Sequence, residues 1–227
     1  IGSFLVNFSD YNYDFSLKGV TSISADFHKY GESPKGASCI MYKNKEIMKY
    51  QYFIDKNWSG GIYACSNFSG SRCGNIVALT WATLMYFGEE GYYNNYNHII
   101  ELRDHFIESI NAMNDLYIIG SPRLSIIAVN SNTINMNIVS DELKKKHWEI
   151  NVIQNPNGFH FCLTSFHTKE IITEFMIDLS NIIMGLSSNL DNPKYSPCIY
   201  GTMEKINDDA IIDDVITNYL HLVNNVY

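Results

Sequence analysis

The sequence has no dense stripe of lysine and arginine. Its 16 basic residues are outnumbered by 24 acidic ones, which gives a formal net charge of −8, and the one basic run is 144–146. A nucleic-acid-binding protein needs a concentrated basic surface to neutralise phosphates, so nucleic acid is not an expected partner. A small phosphorylated molecule remains compatible with this charge, because it needs only a few local hydrogen-bond donors.

The sequence also lacks the cysteine motifs of metal sites and the long apolar runs of membrane-spanning helices. The five cysteines are odd in number and show neither a CxxC pair nor Cys/His zinc spacing, so we interpret them as reduced thiols and expect no metal site. No apolar run reaches the ~18–20 residues that a membrane-spanning helix requires. The chain opens at Ile1, inside an apolar segment and without an initiator methionine. We therefore expect it to be a segment of a longer protein.

What is present is ample material for a packed core, since 46% of the 227 residues are hydrophobic and 14% are aromatic. The mixture of strand and helix patterns predicts an α/β protein. Strands and a glycine-rich stretch at 57–74 fill the first third, residues 1–90. A long amphipathic helix at 91–113 is the expected link to an α+β unit at 114–227.

Local patterns predict the individual elements. Residues 1–8 are expected to form a strand end or a buried loop, and 20–25 a strand. Two further strands, 37–43 and 49–54, are expected to form a hairpin through Asn44-Lys45. The remaining expected elements are a helix from Asn75 to near Gly88, strands at 116–120 and 123–131, a helix at 137–147, strands at 148–153 and 159–165, a helix at 168–186 and a final helix from about Asp208.

The stretch Asp26-Phe27-His28-Lys29 contains the side chains best suited to catalysis. Lys29 follows an apolar strand, which is where α/β folds place catalytic groups. A lysine amine is nucleophilic only when neutral, and a neighbouring histidine could donate to an anion while Asp26 orients either side chain. Lys35, six residues on, supplies a second cation suited to a phosphorylated substrate. Taken alone, these four residues favour a simpler interpretation, a surface turn with one ion pair.

Six stretches along the chain resemble one known family, and they occur in the family's order. They are GSFLVNF (2–8), KGVTSISADFHKYG (18–31), NWSGGIYACSNFSGSRCG (57–74), FGEEGY (87–92), SPRLSIIAV (121–129) and FHFCLTSFH (159–167). The family is that of the sphingosine-1-phosphate lyases, which use pyridoxal 5'-phosphate (PLP), have fold type I and belong to the group II decarboxylase superfamily. The resemblance implies that 1–90 is the second part of the PLP-binding large domain and 114–227 the C-terminal small domain.

The resemblance also implies roles for three residues of one loop. Lys29 matches the lysine that binds PLP covalently, and His28 matches the histidine that contacts the cofactor phosphate. Lys35 occupies the position of a lysine that helps to bind the substrate's phosphate. Glu32 stands where many members have tyrosine, and its carboxylate could pair with Lys35 or weaken phosphate binding.

Other matched positions carry weaker implications. Gly70 and Ser71 match a turn that binds the cofactor, and with Arg72 they lie near the active site and dimer interface of related enzymes. Tyr63 and Asp26 are further candidates for the site. The family's aspartate that pairs with the pyridine nitrogen, and its stacking histidine, are expected upstream of the stretch that begins here.

The activity implied by the resemblance is cleavage of the C2–C3 bond of a phosphorylated sphingoid base to a long-chain aldehyde and phosphoethanolamine. The expected protein is a homodimer with shared active sites. Two alternatives remain open: a PLP-dependent amino-acid decarboxylase of the same superfamily, which would not need Lys35, and a catalytically inactive fragment that acts as an interaction module. Localisation is left open between the endoplasmic reticulum membrane of a eukaryote and the cytoplasm or host of a bacterium.

Overall fold

The computed structural model describes residues 3–10, 12–187 and 209–224 of the chain. It divides into two units, Ile1–Glu101 and Leu102–Tyr227, each with its own internal packing. The division falls inside the predicted linking segment 91–113, and the assignment of the parts on either side to a large and a small domain stays a prediction. No helix within the described ranges is long and apolar enough to cross a membrane.

The first unit contains two small antiparallel sheets. Strands β1 (Ser22–Asp26) and β2 (Ser38–Tyr42) pair over five residues, with Ser22 opposite Tyr42 and Asp26 opposite Ser38. Strands β3 (Phe53–Asp55) and β4 (Tyr63–Cys65) form the second sheet. Because β1 and β2 are direct partners, the eleven-residue loop between Asp26 and Ser38 is closed at its base.

The predicted hairpin between 37–43 and 49–54 is wrong, because the strand that pairs with β2 is β1. After β2, Asn44 begins a short helix instead of a turn: its side-chain oxygen accepts a hydrogen bond from the N–H of Ile47 at 3.0 Å. Helix α2 (Lys45–Met48) and a 3₁₀ turn (Lys49–Gln51) follow. Asparagine is as effective at a helix N-cap as in a hairpin turn, and here the cap is used.

Residues near the N-terminus also differ from the expectation of a strand end or loop. They contain one helical turn, α1 (Ser3–Val6), in which Leu5 is buried. Helix α3 (Gly74–Asn111) is interrupted at Gly88, whose φ of 57° and ψ of −172° are not helical. The expected break between two helices near Gly88 is thereby confirmed, and glycine is the residue that adopts this conformation at least cost.

The second unit is built on a four-stranded antiparallel sheet of order β5-β6-β8-β7. Its strands are β5 (Tyr117–Ile118), β6 (Ile126–Asn130), β7 (Asn151–Ile153) and β8 (Gly158–Cys162), and its helices are α4 (Met136–Lys145), α5 (Lys169–Ser187) and α6 (Asp209–Asn224). The predicted element types in this unit are confirmed. Asp208, the expected start of the last helix, lies outside the described residues.

Aromatic rings form the centre of this unit. Phe106 from α3 and Phe161 from β8 both pack against Phe175 of α5, with ring centroids 5.9 and 4.9 Å apart. Phe159 of β8 completes the cluster at 6.1 Å from Phe175. Phe106, Phe159 and Phe175 are fully buried, so a sheet face and two helices share one core.

Candidate active site

The loop between β1 and β2 holds the predicted functional lysines. It is tied together by its own backbone: the N–H of His28 donates to the carbonyl of Ala37 at 3.0 Å, and the N–H of Ser33 donates to the carbonyl of Phe27 at 3.0 Å. Lys29 lies in the first turn, with its N–H donating to the carbonyl of Asp26 at 3.2 Å. A strand end followed by a closed loop therefore presents Lys29 at a fixed point of the backbone.

Both lysines of this loop have exposed side chains. Within the described part of the chain, neither the Lys29 nor the Lys35 ammonium has a hydrogen-bond or ion-pair partner, whereas Lys49, Lys145 and Lys146 each pair with a carboxylate. Unpaired amines on a well-defined loop are available to an incoming aldehyde or anion. The structure thus places the two predicted amines on one loop, as their spacing required.

The His28 ring is fixed by the loop itself. Its Nδ1 lies 2.8 Å from the carbonyl oxygen of Ala37, and a carbonyl can only accept, so Nδ1 carries the proton. This bond leaves Nε2 as the ring atom available to a ligand. A protonated ring would present Nε2–H to an anion such as a phosphate.

Asp26, by contrast, is not seen to orient its neighbours. Its half-buried carboxylate forms no hydrogen bond with His28 or Lys29, as far as the described residues extend. Its charge acts on Cys39 of β2, whose thiol pKa is raised chiefly by burial and further by Asp26. Burial therefore favours the neutral thiol form of Cys39 over the thiolate.

The Gly70-Ser71-Arg72 turn reaches the end of the lysine loop. Gly70 has a φ of 65°, a left-handed conformation that suits glycine, and Ser71 is exposed. Arg72 lines a cavity of about 460 Å³ together with Gly36 and Ser38. The structure therefore brings Arg72 beside the loop that carries Lys35, although Lys29, His28 and Lys35 do not line this cavity.

Tyr63 is engaged in packing. It lies in β4, and its ring is 6.0 Å from the ring of Phe53 and 5.8 Å from that of Trp58, centroid to centroid. Its side chain is 43% exposed. These contacts explain its position in the glycine-rich stretch and connect it to no residue of the lysine loop.

Two residues that sequence analysis did not single out contact the lysine loop from α3. The hydroxyl of Tyr92 donates to the carbonyl of Gly31 at 2.9 Å, and the side-chain N–H of Asn95 donates to a Glu32 carboxylate oxygen at 3.2 Å. The available signal was the FGEEGY match, which ends on Tyr92. No cluster of three or more His, Cys, Asp or Glu side chains suited to a metal ion occurs among the residues described.

Comparison with known proteins gives consistent relatives, although no protein-family model matches the chain. Sphingosine-1-phosphate lyase 1 of Rattus norvegicus is 38% identical over 213 residues, which cover 92% of this chain and 37% of that protein. Sphingosine-1-phosphate lyase of Saccharomyces cerevisiae is 35% identical over 230 residues, covering 97% of this chain and 39% of the relative. The chain spans less than half the length of these curated relatives.

Solved structures show the same relationship in three dimensions. The sphingosine-1-phosphate lyase of Burkholderia pseudomallei matches with a TM-score of 0.79 and 30% identity, over 95% of this chain and 44% of that one. A glutamate decarboxylase of Lactobacillus brevis matches with a TM-score of 0.62 at 19% identity, covering 77% of this chain and 42% of its own, which is a likeness of fold alone. The fold is accordingly the predicted α/β fold of PLP-dependent transferases.

Proposed function

We propose that the protein containing this chain is a PLP-dependent carbon–carbon lyase, because the chain is similar to sphingosine-1-phosphate lyases in sequence and in fold. Its proposed substrate is a phosphorylated sphingoid base. Cleavage of the C2–C3 bond would release a long-chain aldehyde and phosphoethanolamine. The observation that carries the proposal is the exposed amine of Lys29, three residues after the end of β1 and without a partner among the described residues, beside a histidine ring that is fixed on its loop.

The residues present fit a cofactor with an aldehyde and a phosphate. Lys29 offers a primary amine that has no competing partner in the described chain, and His28 offers Nε2 while Nδ1 is held by Ala37. When bound, PLP supplies an electron sink for the pair released from the broken carbon–carbon bond. The role proposed for Lys29 is to bind the cofactor, and that for His28 is to bind its phosphate. Gly70 and Ser71 are proposed to support the same cofactor.

Recognition of the substrate needs a second anion site. We propose that the Lys35 ammonium binds the substrate phosphate, since it lies on the same loop and is exposed without an ion pair in the described residues. Arg72 is the second cation near this end of the loop, through the cavity that it shares with Gly36 and Ser38. A doubly charged phosphate ester benefits from more than one cation on the same side of the loop, whereas a single carboxylate needs only one.

The test of the cofactor site is borohydride reduction of the full-length protein saturated with PLP, followed by peptide mass spectrometry. We expect one phosphopyridoxyl adduct, on Lys29, and its loss in Lys29→Ala together with the visible absorption band of the bound cofactor. Lys43→Ala, which removes another exposed lysine of the same unit, is the matched control and should keep both signals. An adduct on a different lysine, or an unchanged band in Lys29→Ala, contradicts the assignment.

The same experiment bears on the alternatives. An inactive fragment that serves as an interaction module would give no adduct in the full-length protein. A decarboxylase would give the adduct but would release carbon dioxide from an amino acid instead of aldehyde from a phosphorylated amino alcohol. Product analysis with both substrates separates these outcomes. The lyase is favoured because the curated relatives are sphingosine-1-phosphate lyases, whereas the glutamate decarboxylase is similar in fold alone.

A further inference from the structure

Helix α3 holds the lysine loop at two adjacent residues. Tyr92 donates its hydroxyl hydrogen bond to the carbonyl of Gly31, and Asn95 donates to the carboxylate of Glu32. Tyr92 and Asn95 are three residues apart, so they lie on one face of the helix. The two contacts join parts of the chain that are 61 and 63 residues apart in sequence.

The contact between Tyr92 and Gly31 is buried and closely packed. Tyr92 is 7% exposed, and its ring lies 4.8 Å from that of Phe4 and 5.2 Å from that of Phe87, centroid to centroid. Gly31 is packed so closely that an added Cβ would lie 2.6 Å from the carbonyl oxygen of Phe27 and 2.7 Å from the Phe4 ring. The backbone immediately before Glu32 therefore has one position available to it.

Glu32 itself adopts an unfavourable backbone conformation, with a φ of 53°. A non-glycine residue is uncommon in this left-handed region and is retained where its surroundings hold it. Its negative charge affects Tyr92 of α3: burial raises the pKa of the Tyr92 hydroxyl first, and the charge of Glu32 raises it further. The hydrogen bond from Asn95 thus fixes a carboxylate on the same loop that carries Lys35, three residues further on.

A carboxylate placed near Lys35 without such a tether would compete with any anionic ligand for the ammonium. Lys35 nevertheless has no ion pair within the described residues. We propose that Asn95 is a positioning residue for substrate specificity: by holding the Glu32 carboxylate, it keeps the Lys35 ammonium available to a phosphate monoester. The identity of that anion rests on the proposed function, whereas the tether itself rests on the contacts described above.

The test measures how reactive the Lys35 amine is in the full-length protein with PLP bound. An acetylating reagent attacks only the neutral amine, so an ion pair with Glu32 lowers the labelling rate of Lys35. Peptide mass spectrometry gives the ratio of Lys35 to Lys43 labelling, with Lys43, an exposed residue just after β2, as the internal reference. We expect Asn95→Ala to lower this ratio roughly two- to five-fold, the strength of an exposed ion pair.

Three further variants make the outcome decisive. Asn94→Ala removes the neighbouring exposed asparagine of α3 and should leave the ratio unchanged. The double variant Asn95→Ala/Glu32→Gln should restore it, because the released side chain no longer carries a charge. Glu32→Gln alone should match the unmodified protein. An unchanged ratio in Asn95→Ala, a ratio that stays low in the double variant, or a rise in Glu32→Gln alone would each overturn the proposal.

The kinetic readout connects the tether to the reaction. In the holoenzyme, Asn95→Ala should raise KM for the phosphorylated sphingoid base roughly two- to five-fold with kcat little changed, and Glu32→Gln should reverse the rise. A purely structural role of Asn95 predicts no rescue by that second change. If the unmodified protein does not cleave the substrate, the proposed function fails, but the labelling ratios still decide whether Asn95 controls Glu32.

Discussion

Lys29 and Lys35 lie on the same loop, and both side chains are exposed and have no partner among the described residues. Their roles are therefore distinguished by position. Lys29 lies three residues after the end of β1, while Lys35 lies three residues before the start of β2, on the side where Arg72 lines the adjoining cavity. A cofactor bound to the first amine leaves the second for a different anion. Substitution of Lys29 is thus expected to impair cofactor binding, and substitution of Lys35 to impair substrate binding.

Lys35→Gln removes the proposed phosphate ligand and keeps a side chain of similar length. We expect KM for the phosphorylated sphingoid base to rise by about 10-fold or more, since a hydrogen bond between two charged groups contributes ~1.5–3 kcal/mol. Cofactor absorption should stay unchanged, because Lys29 is untouched. Steady-state kinetics with Lys43→Gln as the matched control check this. Unaltered kinetics in Lys35→Gln would show that Lys35 does not bind the substrate phosphate.

How far the site could be predicted depends on sequence distance. His28, Lys29 and Lys35 could be assigned to one site because they lie within eight consecutive residues, 28–35. Asn95 could not be added to it, because its bond to Glu32 joins residues that are 63 apart. A contact of that kind is fixed by the packing of α3, and no local pattern encodes it. Glu32 was recognised as unusual, but the side chain that controls it was not.

At the scale of elements, the same contrast separates helices from strands. The break of α3 at Gly88 and the amphipathic pattern of α4 and α5 are local properties, and they were predicted correctly. The pairing of β1 with β2 across the lysine loop is not local, and Asn44 favoured a hairpin turn as much as a helix cap. Strand partners are therefore where the prediction failed.

Asp178 of α5 joins two elements of the second unit. Its two carboxylate oxygens accept from the Lys146 ammonium at 2.8 Å and the Trp148 indole N–H at 2.9 Å, just after the end of α4. These bonds, that of Lys146 first, lower the pKa of Asp178 below its ordinary value of 3.8. A lowered carboxyl pKa stabilises the folded state above the unfolded-state value, and this stabilisation is lost as the pH falls through the folded-state value.

Asp178→Asn is expected to lower the Tm of the full-length protein slightly at pH 7. The difference from the unmodified protein should begin to shrink as the pH falls below about 4, where the unfolded chain becomes protonated, and should be lost once the pH falls through the lowered pKa of folded Asp178. Thermal unfolding between pH 3 and pH 7 measures it. Asp213→Asn, which changes an exposed carboxylate of α6, should show no such pH-dependent difference. A constant difference across this range would contradict the ion-pair explanation.

At the scale of the whole molecule, the glycine-rich stretch 57–74 is one of several segments with exposed apolar side chains. Ile62 is 80% exposed and Phe68 is fully exposed, beside the Gly70-Ser71-Arg72 turn. Side chains of this size seldom lie in water without a protein partner when they cluster. A homodimer is expected from the family resemblance, and we predict that a second copy of the protein covers Phe68.

Phe68→Ser should then weaken the dimer of the full-length protein, raising its dissociation constant by about 10-fold or more, since truncating a buried interface aromatic costs ~2 kcal/mol. Phe166→Ser is the matched control: Phe166 is 82% exposed in the second unit, and its loss should leave association unchanged. Sedimentation equilibrium over a range of protein concentrations measures both. A monomeric unmodified protein, or equal dissociation constants for Phe68→Ser and the unmodified dimer, would show that Phe68 does not lie between two copies.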